Sequence, residues 1–414
     1  MTNSSTVPMA ESCPLTIDIE ALGLDQGALL LLRRALARVP LGGELRVQGN
    51  APEWDLHLAA WCRSVGHALR FETTGSGAVA SAVLTRNVQA EGRWRDAQHT
   101  GHAQLLPGQM LAAEASAGWG LAARGAQVEA GSPPFDFALR QRDELWAASA
   151  GELYRQAAAA QWDPETAVDW QAEFSLAPEL EAAVVQVMTY LIENENAALL
   201  VPARYLGQIH PHYREVMQLL ALQCADEARH VEVFNRRATL RGAEPGLSTA
   251  GSQASLQTLF GVPDFSIASF LLAVLGEGSF VNLLNFLHEH APDPVTRQIA
   301  RLAARDEARH VAFGMAHLEH RLAAQPEFLN SLRNAVEQRY EALANTTGLN
   351  EEVFDSLVVI ASGGLTPAAV ARGHQAVSRL QADMATGRRA RLTRLGFANE
   401  EAERLAALHT RNFM

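Results

Sequence analysis

The 414-residue chain is predicted to be mainly α: a four-helix bundle with extra helices, preceded by a small two-layer α/β domain. Three observations lead there. The hexapeptide Asp-Glu-Ala-Arg-His-Val occurs twice, at 226–231 and 306–311. From Phe135 onward apolar residues recur with a helical period. Residues 1–75 instead alternate between strand-like and helix-like runs.

In the N-terminal part, Leu15–Ala21 and Gly43–Gln48 read as strands and Ala28–Val39 and Trp54–Val65 as helices, with a last strand at Ala68–Glu72. This β-α-β-α-β order, in the run "LGLDQGALLLLRRALARVPLGGELRVQGNAPEWDLHLAAWCRSVGHALRFE", resembles the TusA-like sulfur-carrier domain. That family carries a Cys-Pro pair near the start of its first helix, where this chain has Asp25-Gln26, so the resemblance implies the module without its carrier cysteine. Cys62, in the second helix, is expected to be a packed core thiol. Residues 76–134, rich in Gly, Ala and Ser, read as linker or irregular cover, and His99 and His102 within them as solvated.

The helical part spans 135–345 as the bundle and 346–414 as C-terminal helices packed on it. Its expected helices are Phe135–Gln161, Pro178–Ile209, Pro211–Gly242, Phe265–Ala291, Pro294–Ala324 and Pro326–Asn345, with two or three more to the end. A long loop between Gly242 and Pro263 separates two helix pairs, a connection found in bundles that carry metal sites between facing helices. His409 and Arg411 are expected to pack on the bundle rather than reach its centre.

Composition narrows the chemistry. The formal charge of -12 argues against nucleic acid, whose phosphates need a positive surface. There is no lysine, which excludes Schiff-base, pyridoxal phosphate and Walker-lysine chemistry. The three cysteines, Cys13, Cys62 and Cys224, are unpatterned. They fit a reducing cytoplasm and exclude a Cys-x-x-Cys metal site. No uncharged apolar run of about 18 residues predicts a membrane span, and residues 1–15 do not read as a secretory signal.

Each hexapeptide contains a Glu-x-x-His pair, Glu227/His230 and Glu307/His310. Residues three apart share a helix face, so each pair can offer a carboxylate and an imidazole to one metal, and two copies make two half-sites. Each half-site needs a further carboxylate. Glu277 lies within the apolar run "SFLLAVLGEGSFVNLLNFL", where an unpaired charge is costly. Glu195 precedes Glu227 by nearly the interval at which Glu277 precedes Glu307 and shares a stripe with Val184, Met188 and Leu191. Glu193, two residues away, is its competitor. The expected metal ligands are therefore Glu195, Glu227, His230, Glu277, Glu307 and His310. Four carboxylates balance two divalent cations, and oxygen and imidazole donors without thiolate suit iron or manganese. Asp226 and Asp306 are expected to hold the histidines crosswise, Asp306 on His230 and Asp226 on His310, with Arg229 and Arg309 pairing to these aspartates or neighbouring acids.

The constellation resembles the ferritin-like di-iron carboxylate superfamily over roughly 135–345, in particular its oxygen-activating branch. The resemblance implies a ferritin-like bundle whose two Fe ions (a Mn/Fe pair is the alternative) reduce O2 and oxidise a small organic substrate, with an external electron donor. Phe234 stands where the reductase members carry a radical tyrosine, Ala303 where arylamine N-oxygenases add a histidine, and the rubredoxin cysteines of fused rubrerythrins are absent. The leading expectation is a cytoplasmic non-haem di-iron oxygenase or oxidase, with no side chain beyond the metal centre catalytic and Ala198, Phe234 and Phe280 at its open side. The alternatives are an iron-handling ferroxidase and a peroxide-reducing ferritin-like protein. No nucleic-acid or membrane partner is expected; a homodimer is compatible.

Overall fold

The structure, a computed structural model, describes residues 15–73, 79–87, 94, 96–105, 109–344 and 351–410. It divides into two compact units, 1–99 with 127–132, and 100–126 with 133–414.

In the first unit, β1 (Leu15–Asp18), α1 (Ala28–Ala37), β2 (Glu44–Gln48), α2 (Trp54–Val65), β3 (Ala68–Thr73) and β4 (Val79–Thr85) follow in order. The sheet order is β1-β2-β4-β3, with β1 and β2 parallel and the other pairs antiparallel. Leu32 and Leu36 of α1 and Leu58 and Cys62 of α2 pack with Leu45, Val47, Ala82 and Leu84 of the strands. Strand β4 lies in the stretch read as linker. Four successive positions, Ser81 to Leu84, are buried, so the alternation that marks a half-exposed strand is missing. On the sheet's other face Val83 sits opposite Arg46 and Arg70, and both arginines reach Glu72 (3.1 and 3.4 Å). A two-residue pair, β5 (Gln98–His99) with β6 (Gln127–Val128), belongs to the same unit.

The second unit is helical. Its centre comprises α4 (Pro178–Leu206), α5 (Arg214–Thr239), a broken helix and α9 (Pro294–Ala324). The broken helix runs as α7 (Phe265–Ser269), a π-helical segment Phe270–Glu277, and α8 (Gly278–His290). Phe265–His290 is long and apolar enough to cross a membrane, but most of it is buried within this bundle. Proline at the first turn starts α4 and α9, and Asp293 caps α9 by accepting from the Thr296 N–H (2.8 Å). Near that cap the fully buried Arg237 of α5 is held by Asp293 (2.9 Å) and by Glu181 of α4 (2.7 Å), tying three helices at one end.

Three departures from the sequence reading share one cause: tertiary partners replaced local ones. Residues 135–161 do not form one helix; only α3 (Ala150–Ala159) does. The Leu139 N–H donates to Gln208 O and the His210 N–H to Leu139 O (2.9 Å each), so this backbone is satisfied by the turn after α4. The connection 242–263 contains α6 (Ala250–Phe260), capped by Thr249. It has a weakly two-sided sequence, and Leu256 and Leu259 bury it. The apolar run 265–291 carries the π segment, whose extra residue per turn no apolar pattern reveals.

Helices α10 (Phe328–Leu343), α11 (Glu351–Ser362), α12 (Pro367–Arg394) and α13 (Asn399–Thr410) complete the unit. Helix α11 packs on α4, and α12 on α11 and α8. Arg391 of α12 donates from Nε to the Val274 carbonyl of the π segment (2.7 Å). Asn345, Arg411 and the side chain of His409 lie outside the described residues.

His317 of α9 shows how tightly this core is wired. Its Nδ1–H donates to the Trp146 carbonyl (3.1 Å) and its Nε2 accepts from the Ser266 hydroxyl (2.8 Å), so the ring is neutral. Burial pulls it down to about 4. A histidine depressed when folded takes its proton first in the unfolded chain, so stability present above about pH 6.5 is lost as pH falls toward 4. Denaturant unfolding at pH 7.5 and 5 should therefore show a smaller acid loss in His317→Gln than in the parent, by on the order of 2 kcal/mol. Equal losses would remove this account.

Candidate metal centre

The inward face of α5 runs through Val216, Leu220, Gln223, Glu227, His230 and Phe234, all buried. On α9 it runs through Ile299, Ala303, Glu307, His310, Gly314 and His317. The three- and four-residue spacing that buries leucine in an ordinary bundle here buries a carboxylate and an imidazole at mid-helix. Helix α4 adds Glu195, 2% exposed, and the end of the π segment adds Glu277, 4% exposed. Glu193, the competitor, turns away and accepts from the Ser252 hydroxyl (3.3 Å).

The six side chains meet as two overlapping groups, Glu195, Glu227, His230 and Glu307, and Glu227, Glu277, Glu307 and His310, with donor atoms within 4.8 Å of one another in each. Glu227 and Glu307 belong to both. The two imidazoles flank Glu227: His230 Nδ1 is 3.0 Å from one oxygen and His310 Nδ1 is 3.0 Å from the other.

Apart from His230 Nδ1 with Glu227 Oε2, these atoms converge without satisfying each other. His310 Nδ1 and Glu227 Oε1 are in contact, yet both lack an aligned hydrogen bond. One oxygen of Glu195, one of Glu277 and both of Glu307 are also buried without a hydrogen-bond partner. Orphaned carboxylate oxygens at such depth are expensive. Two donors at right angles around one cation with bonds near 2.1 Å lie about 3 Å apart; the imidazole-to-glutamate separations here run from 3.0 to 3.7 Å. The residues therefore fit two divalent cations, with Glu227 and Glu307 within reach of both positions.

Electrostatics point the same way. Burial, with the repulsion of Glu227 and Glu307, pushes the Glu195 carboxyl well above the usual range. Burial, with the charge of Glu307, does the same to Glu277. Burial would raise Glu227 too, but the imidazoles of His310 and His230 outweigh it and hold the group low. Burial opposes charge on both histidines, yet the surrounding acids raise both. Without cations, protons carry the balancing charge; cations must displace them, so metal affinity falls as pH falls.

Around this centre the aspartates act crosswise. Asp306 lies 3.2 Å from His230 Nε2 and Asp226 lies 3.3 Å from His310 Nε2. Each histidine thus turns Nδ1 to the centre and Nε2 to the other helix's aspartate. Arg229 pairs with Asp226 and reaches Asp306 (3.3 Å). Arg309 pairs with Asp306 and lies 3.7 Å from Asp226.

Several contributors escape sequence reasoning. Gln161 Nε2 donates to Asp226 (2.9 Å) and Trp162 Nε1 to Asp306 (2.7 Å), while the Arg229 guanidinium lies 4.7 Å over the Trp162 ring. In the sequence these two residues only end a helix. Gln223 donates to Glu277 (3.1 Å); its one visible signal is a polar residue on an apolar stripe. Beside the centre lies a cavity enclosing about 400 Å³ of unfilled space, mouth included, that touches Glu195, Glu277 and Glu307. Ala198 and Phe280 line it. Phe234 instead packs against His230, ring centroids 6.3 Å apart.

No protein-family model and no curated protein matches the chain. Among solved structures it is similar to R2-like ligand-binding oxidases. One is a valine-to-isoleucine mutant with aerobically reconstituted Mn/Fe cofactor, 16% identical, covering 60% of this chain and 94% of that chain at a TM-score of 0.46. Another is a glycine-to-phenylalanine mutant with anaerobically reconstituted Mn/Fe cofactor, 15% identical over the same shares at 0.45. Likeness this weak assigns neither fold nor chemistry, which rest on the geometry above.

Two substitutions probe the arrangement. Glu277→Ala should lower metal content from two ions per chain to one, measured by elemental analysis after equilibration with Fe(II) under anaerobic conditions. Asp226→Ala keeps all six donors and should retain two ions, with affinity about 10–100-fold lower in chelator competition. Two tightly held ions in Glu277→Ala would remove that residue from the set.

Proposed function

We propose that this chain is an O2-dependent non-haem oxidoreductase, an oxygenase or oxidase of a small organic substrate, with two Fe ions or a Mn/Fe pair on Glu195, Glu227, His230, Glu277, Glu307 and His310. The observation that carries the reading is the junction of that donor set with a cavity walled mainly by Leu256, Leu259, Leu271, Leu272 and Phe280. When bound, the metals supply the electron transfer to O2 that side chains cannot. The protein's own part is fourfold. Glu227 and Glu307 would serve both metals, and Glu195 and Glu277 would each hold one. Asp226 and Asp306 orient the imidazoles. The cavity keeps bulk water from the reacting edge.

An apolar wall favours an organic substrate over iron handling, since hydrated ions need polar groups along their route. Turnover calls for an external electron donor, as no redox-active disulfide pair exists among the described residues, where Cys62 and Cys224 are free. For the α/β unit we infer a TusA-like binding role without sulfur transfer. Asp25 and Gln26 occupy the turn before α1, and burial pushes the Cys62 thiol up to about 12.

Anaerobic loading with Fe(II) followed by O2 should consume O2 in an amount proportional to the dinuclear sites and produce a transient near-ultraviolet or visible absorption. Protein holding two Fe(II) per chain that takes up no O2 contradicts the proposal. Turnover with H2O2 but not O2 points instead to peroxide reduction.

A further inference from the structure

The two half-sites carry matching donors, yet the protein around them differs. Each end has one glutamate of its own, Glu195 on α4 and Glu277 at the close of the π segment. Four positions before Glu227, on the inward face of α5, stands Gln223; four positions before Glu307, on the inward face of α9, stands Ala303. Gln223 is 5% exposed, and its Nε2 donates to Glu277 Oε1 (3.1 Å). The second oxygen of Glu277 is buried without a hydrogen-bond partner. One oxygen is thus engaged by protein and the other is open to a cation. Among the described residues Glu195 has no equivalent. Ala303 carries no donor in its side chain. One oxygen of Glu195 is buried without a hydrogen-bond partner, and His230 Nδ1, itself turned to the centre, lies 3.7 Å from the other.

Burial makes this difference informative. An amide in an apolar surround costs free energy unless its polar atoms are paired. Gln223 also borders a void lined mainly by Val201, Leu220, Phe265, Leu272 and Phe313. Leucine serves the same stripe one turn earlier, at Leu220, so packing alone does not call for an amide at 223. The partner that offsets its burial is Glu277. A carboxylate already held in place loses less freedom when a cation arrives than one that must be ordered at that moment. Hydrogen-bonding groups behind metal ligands contribute about 10–100-fold to metal affinity. A neutral amide does this without disturbing the balance of four carboxylates against two divalent cations.

We propose that Gln223 is a positioning residue that fixes Glu277 as a ligand, so that the Glu277–His310 position fills before the Glu195–His230 position. Glu195 is then the carboxylate left free to move. This rests on the six-donor set proposed above and not on any reaction with O2.

The test is binding of Mn(II) alone to the full chain, with free ion read from its electron paramagnetic resonance signal. Glu195→Ala isolates the Glu277–His310 position and Glu277→Ala isolates the other. The ion in Glu195→Ala should be held about tenfold or more tighter than the ion in Glu277→Ala. Adding Gln223→Met, which keeps the length and loses the N–H, should weaken the first ion about tenfold or more. It should leave the ion of Glu277→Ala within about twofold, because the partner of Gln223 is already gone. A general packing defect would weaken both ions alike. Equal weakening in the two backgrounds, or weakening in neither, overturns the proposal, as does an ion held more tightly in Glu277→Ala than in Glu195→Ala. Should Gln223→Met fold poorly, Gln223→Leu makes the same comparison, and the ranking of the two single-position variants needs no change at 223. A parent that binds no Mn(II) refutes the donor set itself; a parent that binds two ions with no selective effect of Gln223 refutes only the role given to that residue.

Discussion

Four carboxylates gathered at the middle of a helical bundle cannot stay charged together unless cations sit among them. Desolvation and mutual repulsion act on the same few atoms, and both grow with burial. Glu195 and Glu277 feel this most, because burial and the charges of neighbouring acids outweigh what His230 and Gln223 offer them. Much of the surrounding structure answers that constraint. The reciprocal Asp–His contacts spread charge outward from the centre, and Arg229 and Arg309 take it up near the surface, where water shares the cost. The outer ring is therefore a graded electrostatic shell rather than a set of separate ion pairs.

The bundle's irregularities bear on the same centre. A π segment ending at Glu277 gives its helix a phase different from that of a continuous α-helix, and the carboxylate emerges where that phase turns inward. Gly314 of α9 permits the close approach, since a Cβ there would meet Ala273 at 2.8 Å. Arg391 takes up the Val274 carbonyl from the outer side. The segment that delivers the ligand is thus supported from both flanks, at the expense of a regular backbone.

What sequence alone determined here is whatever repeats along one helix. The duplicated hexapeptide, the similar intervals back to Glu195 and Glu277, and the aspartate one turn before each histidine are periodic features, and periodicity on a helix is geometry. The bundle helices and the crosswise Asp–His pairing were legible for that reason. What tertiary structure decided depends on partners distant in the chain. Strand β4 was hidden because burial on both faces erases alternation. Helix α6 was hidden because its stability comes from packing, and residues 135–141 stay out of a helix because Ala115, Ala117 and the turn at 208–210 pair with their backbone. Trp162 reaches Asp306 and Arg339 reaches the cavity across long stretches of chain. No local pattern encodes a contact whose free energy is released only when remote segments meet.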